Sequence, residues 1–229
     1  MTLTTDISAA PRIALIHATT AAIAPAIAGM NNVFPDAEVW NILDDKLLPD
    51  ADANGGLTAH LVERMNRLID LALADGAAGV LLTCSIYGSV AHGIKADVPV
   101  LSPDEAAFES ALAGGYGRIL VVASFETALN DSLTRFTAFL RANGSTAKVV
   151  GEPVPAALTA TKAGDISALT AALIEAAKPF VGSVDAVLLG QYSLSPAVTA
   201  VEEALGVPVI SGPQAAALKL KAAVTANRP

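Results

Sequence analysis

Cys84 is the only cysteine of the chain, and it stands near the end of the apolar run Gly79 to Ser85, GVLLTCS. A thiol at the carboxyl end of a strand, where the next segment turns helical, faces free backbone N–H groups and the positive end of a helix dipole. That setting lowers a thiol pKa and favours the nucleophilic thiolate. The competing reading is a core cysteine without chemistry, since free cysteines are commonly buried. Thr83, Ser85, Tyr87 and Ser89 weigh against it, because a strand end does not need hydroxyls. A single thiol can add to an electron-poor carbon or carry a proton on one face of a substrate. Both reactions place negative charge on a carboxylate or carbonyl, which preorganised donors must stabilise. Ser85, Ser124 and Thr127 are candidates, although each alone also reads as a helix cap or turn.

His17 lies near the end of the run Arg12 to Thr19 and titrates in the range that proton transfer near neutrality needs. Its position predicts a side chain pointing into a cleft as a second acid or base, against the ordinary alternative of a hydrogen-bonded spectator. His60, at a helix start, and His92, on an exposed turn, attract no role. Asp44 and Asp45 read as a solvated turn or cap, and Glu105 as a carboxylate complementing a helix dipole. With one cysteine and three scattered histidines, no metal site is expected. Neither GxGxxG nor GxxxxGK[ST] follows any strand, so no nucleotide, nicotinamide or other cofactor is expected.

These residues must be held by something, and the chain alternates strand-length apolar runs with amphipathic helices, the pattern of parallel sheets covered by helices. Strands are predicted at Arg12 to Thr19, Ala37 to Asp44, Gly79 to Ser85, Val98 to Ser102, Arg118 to Ser124, Lys148 to Glu152, Ala186 to Tyr192 and Val207 to Ser211. The clearest helices are Thr58 to Ala74, Glu105 to Ala113, Thr127 to Ala142, Ser167 to Ala177 and Gln214 to Ala226. The chain also repeats itself. RIALIHA from Arg12 falls on RILVVAS from Arg118, VLLTCS from Val80 on VLLGQY from Val187, and VPVLSPDEAA from Val98 on VPVISGPQAA from Val207. Cys84 then pairs with Gln191, Ser85 with Tyr192, His17 with Ala123 and Ala18 with Ser124. The predicted fold is α/β: two similar doubly wound lobes, each with a four-stranded parallel sheet, related by a pseudo-twofold axis with the active site between them. Residues 1–115 form the lobe carrying Cys84 and residues 116–229 the lobe carrying Gln191, with the C-terminal helix free to pack back on the first.

The segments LLTCS, Leu81 to Ser85, and LLGQYS, Leu188 to Ser193, resemble the two signature stretches of the aspartate/glutamate/hydantoin racemase superfamily, which also holds maleate isomerases and arylmalonate decarboxylases. ASFET, Ala123 to Thr127, and the turns PVLSPDEA and PVISGPQA are similar to further family stretches, so the resemblance spans nearly the whole chain. It implies a cofactor-independent enzyme acting on a small carboxylate or related compound, with Cys84 catalytic and Ser85, Ile86, Ser124, Thr127, Gln191 and Tyr192 about the substrate. Family racemases use two cysteines on opposite faces of the substrate. Here the second position is Gln191, whose neutral amide cannot exchange protons near pH 7. Family decarboxylases keep one cysteine at the second position, the reverse of this chain, whereas maleate isomerases use a nucleophilic cysteine at the first. The expected chemistry is therefore one-sided, isomerisation ahead of decarboxylation, with His17 as the second acid or base. A non-catalytic bilobal small-molecule binder is the alternative from another class.

Of 229 residues, 53% are hydrophobic and only 4% aromatic, so the apolar content is largely small helix formers. The longest stretch without a full charge, Ile13 to Pro35, is broken by Thr19, Thr20, Pro25, Gly29, Asn31 and Asn32, a poor lipid-facing span. MTLTTDISAAP lacks a basic segment and an apolar core, so no secretory leader is read and a cytoplasmic location is expected. A net charge of −8 without a Lys/Arg run speaks against nucleic acid or membrane as partner. The expected partner is a small-molecule carboxylate, and a homo-oligomer is left open.

Overall fold

Apolar runs of strand length, each leading into a helix, bury both faces when they align as a parallel sheet covered on both sides. The computed structural model, which describes residues 10–227, has that form twice. The segment read above for a leader lies, but for Ala10 and Pro11, outside the described residues. The first half runs β1 (Arg12–His17), α1 (Ile23–Val33), β2 (Glu38–Leu43), α2 (Leu47–Ala53), α3 (Ala59–Ala74), β3 (Gly79–Leu82), α4 (Gly88–Ala91), β4 (Val100–Leu101) and α5 (Glu105–Ala113). The second runs β5 (Arg118–Ala123), α6 (Glu126–Ala142), β6 (Lys148–Pro153), α7 (Pro155–Ala163), α8 (Ile166–Ala177), β7 (Ala186–Leu189), α9 (Val198–Leu205), β8 (Val209–Ser211) and α10 (Gly212–Ala226).

The sheets have the orders β2-β1-β3-β4 and β6-β5-β7-β8, all pairs parallel. Registers match as well: Ile13 pairs with Gly79 in one sheet and Ile119 with Ala186 in the other. The predicted pair of doubly wound four-stranded lobes is the fold the chain adopts. GVLL in β3 and AVLL in β7 are buried throughout, as strands covered on both faces must be.

Local chemistry sets the element ends. Thr58 and Asp165 cap α3 and α8 by accepting from Leu61 N and Ala168 N, and Gly164 and Gly206 close α7 and α9 at φ of +68° and +66°. The strands before Cys84 and Gln191 are shorter than predicted. They stop at Leu82 and Leu189, because the chain tightens into 3₁₀ turns at Ser85–Tyr87 and Tyr192–Ala197. Helices α2, α7 and α9 were not anticipated, being short and alanine-rich or containing few periodic apolar positions.

The halves are tied by their last helices. Ala107, Phe108 and Ala111 of α5 belong to the core formed with β5 and α6, whereas Ala217, Leu220 and Val224 of α10 pack with Ile13 and Leu15 of β1. Close approach makes this seat specific: a Cβ on Gly79 would lie 2.9 Å from Val224, and one on Gly29 2.7 Å from the Pro213 carbonyl.

Candidate active site

In a sheet of order β2-β1-β3-β4 the chain winds outward in both directions from the centre, so the loops leaving β1 and β3 part and open a crevice at their carboxyl ends. Thr19 and Thr83–Ser85 border that crevice in the first half, and Phe125 and Gln191–Ser193 border its counterpart in the second. The two crevices share one cavity of about 40 Å³, also walled by Ala22, Leu48, Ile86 and Ala128. That is room for a few waters. No lining residue carries a formal charge. Through Thr19, Leu48 and Phe125 the cavity adjoins a wider vestibule of about 650 Å³ containing Asp45, Asp52, Thr127 and Lys162.

Cys84 stands at the cavity with 8% of its surface exposed. The structure corrects the expectation of a depressed thiol pKa. Burial pushes the Cys84 thiol up to about 12, with Asp104 and Asp52 adding to the rise, while the Ile86 and Tyr87 backbone N–H groups pull against it. The expected donors are therefore present, but only a 3₁₀ turn and the four-residue α4 follow the thiol, and desolvation outweighs them.

Across the cavity, Gln191 is fixed by Ser124, whose backbone N–H and hydroxyl donate to its Oε1 at 2.6 and 2.7 Å. Two donors on one oxygen settle the amide orientation. The Nε2 amide has no protein acceptor among the described residues, so Gln191 offers a donor at the position that mirrors the thiol. Ser124 is nearly fully buried and acts on Gln191, not on the cavity, whereas Thr127 stands in the vestibule. Ile86 lines the cavity, as does Tyr192, whose hydroxyl donates to the Pro103 carbonyl at 3.3 Å.

His17 does not point into the cleft. It is fully buried, does not line the cavity, and has Thr83 Oγ1 at 2.8 Å from Nδ1 and Asn41 Oδ1 at 2.9 Å from Nε2. The pleat turns its ring sideways toward the neighbouring strands, so direct proton transfer to a ligand does not fit this geometry. Burial lowers its pKa, against the hydrogen bond that its Nε2 donates to Asn41. The neutral tautomer with the proton on Nε2 donates to Asn41 and leaves Nδ1 to face the Thr83 hydroxyl, whose one proton is shared with the Ile16 carbonyl at 3.1 Å, and Thr83 itself lines the cavity.

Sequence reasoning missed Asp104 and Arg135. Asp104 heads α5 without capping it. Instead the Ser85 hydroxyl proton is shared between Asp104 Oδ1 at 2.9 Å and the Gly190 carbonyl at 3.1 Å, and Arg135 Nη1 of α6 lies 2.7 Å from Asp104 Oδ2. The contact is an ion pair, and Arg135 Nη2 is buried without an acceptor. Burial pushes the Asp104 carboxyl up, opposed by Arg135 and Ser85. The only signals in the sequence were an acid after Ser-Pro and an unremarkable Asp131/Arg135 helix pair. Glu105, read as complementing a helix dipole, does stand in the first turn of α5, where it contacts His92, read without a role. Asp44, read as a solvated turn or cap, accepts from Lys46 N at 3.2 Å in the turn but is also gripped by Arg64 through two 2.6 Å hydrogen bonds. Among the described residues, no group of three or more His, Cys, Asp or Glu is placed to hold a metal, and no helix is long and apolar enough to cross a membrane.

The profile of the Asp/Glu/Hydantoin racemase family matches residues 34–220. No curated protein matches the chain. Among solved structures, the chain is similar to an aspartate racemase of Picrophilus torridus, with 15% identity, 93% of this chain and 94% of that one covered, and a TM-score of 0.73. It is also similar to the allantoin racemase of Klebsiella pneumoniae, at 19% identity, 95% and 89% coverage and a TM-score of 0.67. A glutamate racemase isoform of Bacillus anthracis gives 15% identity, 95% and 82% coverage and a TM-score of 0.74.

Proposed function

Because the chain belongs to the Asp/Glu/hydantoin racemase family, we propose that it is a cofactor-independent isomerase that acts on a small carboxylate or related compound through Cys84 alone. The observation that carries this reading is the asymmetry of the cavity. A thiol with backbone N–H groups beside it stands on one wall, and an amide whose oxygen is locked by Ser124 stands on the other. The thiol supplies the covalent or proton-transfer step on one face. Gln191 Nε2 donates to the substrate oxygen on which charge develops, where a preorganised donor in a dry site has most effect. Decarboxylation with one-sided protonation is the second reading, favoured by a neutral thiol among Leu48, Ile86 and Phe125.

Incubation in D₂O with dicarboxylates, hydantoins and arylmalonates, followed by NMR, distinguishes the readings. Isomerisation or Cα exchange supports the first, and CO₂ release with deuterium in one configuration supports the second. Cys84→Ala should abolish either. Turnover that survives this substitution would overturn the Cys84 mechanism. Failure of every substrate would favour a non-catalytic binder.

A further inference from the structure

The sequence has no basic run, yet the fold gathers three cations at the end of the second sheet remote from the cleft. Arg118 opens β5, Lys148 opens β6 and Arg141 lies in the last turn of α6. With Thr137, Ser145 and Thr146 they line a depression of about 630 Å³, and no acidic side chain lines it. Among the described residues none of the three forms an ion pair.

Arg118 and Lys148 are register partners on adjacent strands, so their side chains leave the same face side by side, and like charges so placed are destabilising. The duplicated first half is an internal control. There Arg12 opens β1, its register partner on β2 is Glu38, and the two pair at 3.4 Å. A chain of net charge −8 has neutralised the cation in one half and placed a second cation beside it in the other.

Local structure does not account for the cluster. The last carbonyls of α6, which would attract Arg141, are already occupied: Leu140 O accepts from Ser145 N at 2.9 Å and Arg141 O from Gly144 N at 3.1 Å. Asp185, the carboxylate fixed beside Arg118, spends Oδ2 on the backbone N–H groups of Gly117 and Arg118, both at 2.8 Å.

We propose that this depression binds a small multivalent oxyanion of the phosphate type through Arg118, Arg141 and Lys148. Guanidinium forks match oxyanion geometry and the ammonium adds a point charge, while Thr137 and Thr146 bring hydroxyl donors. The strand β5 separates the site from the cleft by roughly 20 Å, so its occupant is distinct from the ligand of Cys84. The proposal stands whether or not the proposed reaction does.

Calorimetric titration of the whole protein with inorganic pyrophosphate, at constant ionic strength, tests it. A saturable isotherm with one site is expected, weakened on the order of tenfold by Arg118→Gln and again by Lys148→Gln. Lys148→Glu copies the pairing of the first half. It should abolish binding and raise Tm in buffer without multivalent anions. Arg12→Gln should leave the isotherm unchanged. Heats that do not saturate, or an isotherm insensitive to both glutamine variants or lost in Arg12→Gln, would overturn the site. So would co-sedimentation with phosphatidylglycerol vesicles in the absence of a pyrophosphate isotherm, which would reassign the cluster to a membrane surface.

Discussion

Asp104 of the first half and Arg135 of the second face each other at 2.7 Å in the interface beside the Cys84 turn. Removing one member of a buried pair leaves the other charge without compensation, at about 3–5 kcal/mol. Because the Arg135 side chain keeps 23% of its surface exposed, Asp104→Ala should cost nearer the lower figure in urea unfolding. Asp104→Asn keeps an acceptor for Ser85 while removing a negative charge that disfavours the thiolate. Its Cys84 should react with iodoacetamide faster than that of the native protein. An unaltered alkylation rate in the asparagine variant would show that Asp104 has no hold on the thiol.

The buried thiol also makes stability depend on alkaline pH. Its ordinary value of 9.0 rises to about 12 on folding, so between these values the folded chain holds a proton that the unfolded chain has lost. Stability therefore falls as pH rises through that window. Relative to Cys84→Ala, the native protein should lose about 2 kcal/mol between pH 8 and pH 10.5. Parallel urea curves at the two pH values check this. An equal loss in both proteins would mean the thiol ionises as freely folded as unfolded.

Much of this was legible in the sequence because it depends on order along the chain. Strand and helix periodicity, the repeat and the pairing of Cys84 with Gln191 are local or translational patterns, and the duplicated strand orders followed them. Three things were not legible. Whether His17 looks into the cleft depends on the pleat at the strand end, and the ring lies against Thr83, just past β3, and Asn41 of β2. The partnership of Asp104 with Arg135 joins helices from different halves. The thiol pKa depends on how tightly the halves close over Cys84, which no spacing records.

His17 should therefore behave as a positioning residue for Thr83. Loss of a direct general acid would cost roughly 10²–10⁴-fold in rate. His17→Asn should instead lower kcat by less than about tenfold and destabilise the fold by about 1–3 kcal/mol, because buried polar partners are left unsatisfied. Its lowered pKa means that below an ordinary value of 6.5 the unfolded chain binds more protons. Native stability should fall as pH drops through 6.5 toward the folded value, and the substitution should flatten that slope. A rate loss in the larger range with stability unchanged would restore His17 to direct catalysis.

Gln191→Cys tests whether the cavity is a two-base site with one base removed. In the native protein the Ser124 N–H and hydroxyl are both directed at Gln191 Oε1, at 2.6 and 2.7 Å. The substitution removes that acceptor and places a thiol where both donors are free. Donors to sulfur favour the thiolate, so the new cysteine should have a lower pKa than Cys84, which burial holds near 12. With a substrate carrying a Cα proton, the variant should exchange deuterium into both enantiomers, whereas the native protein labels one. Gln191→Ser, which also frees Ser124 but carries no thiol, should keep the one-sided pattern. Labelling of both enantiomers by the native protein would show that a second base already acts there, and one-sided labelling by the cysteine variant would show that the opposite wall does not reach the substrate carbon.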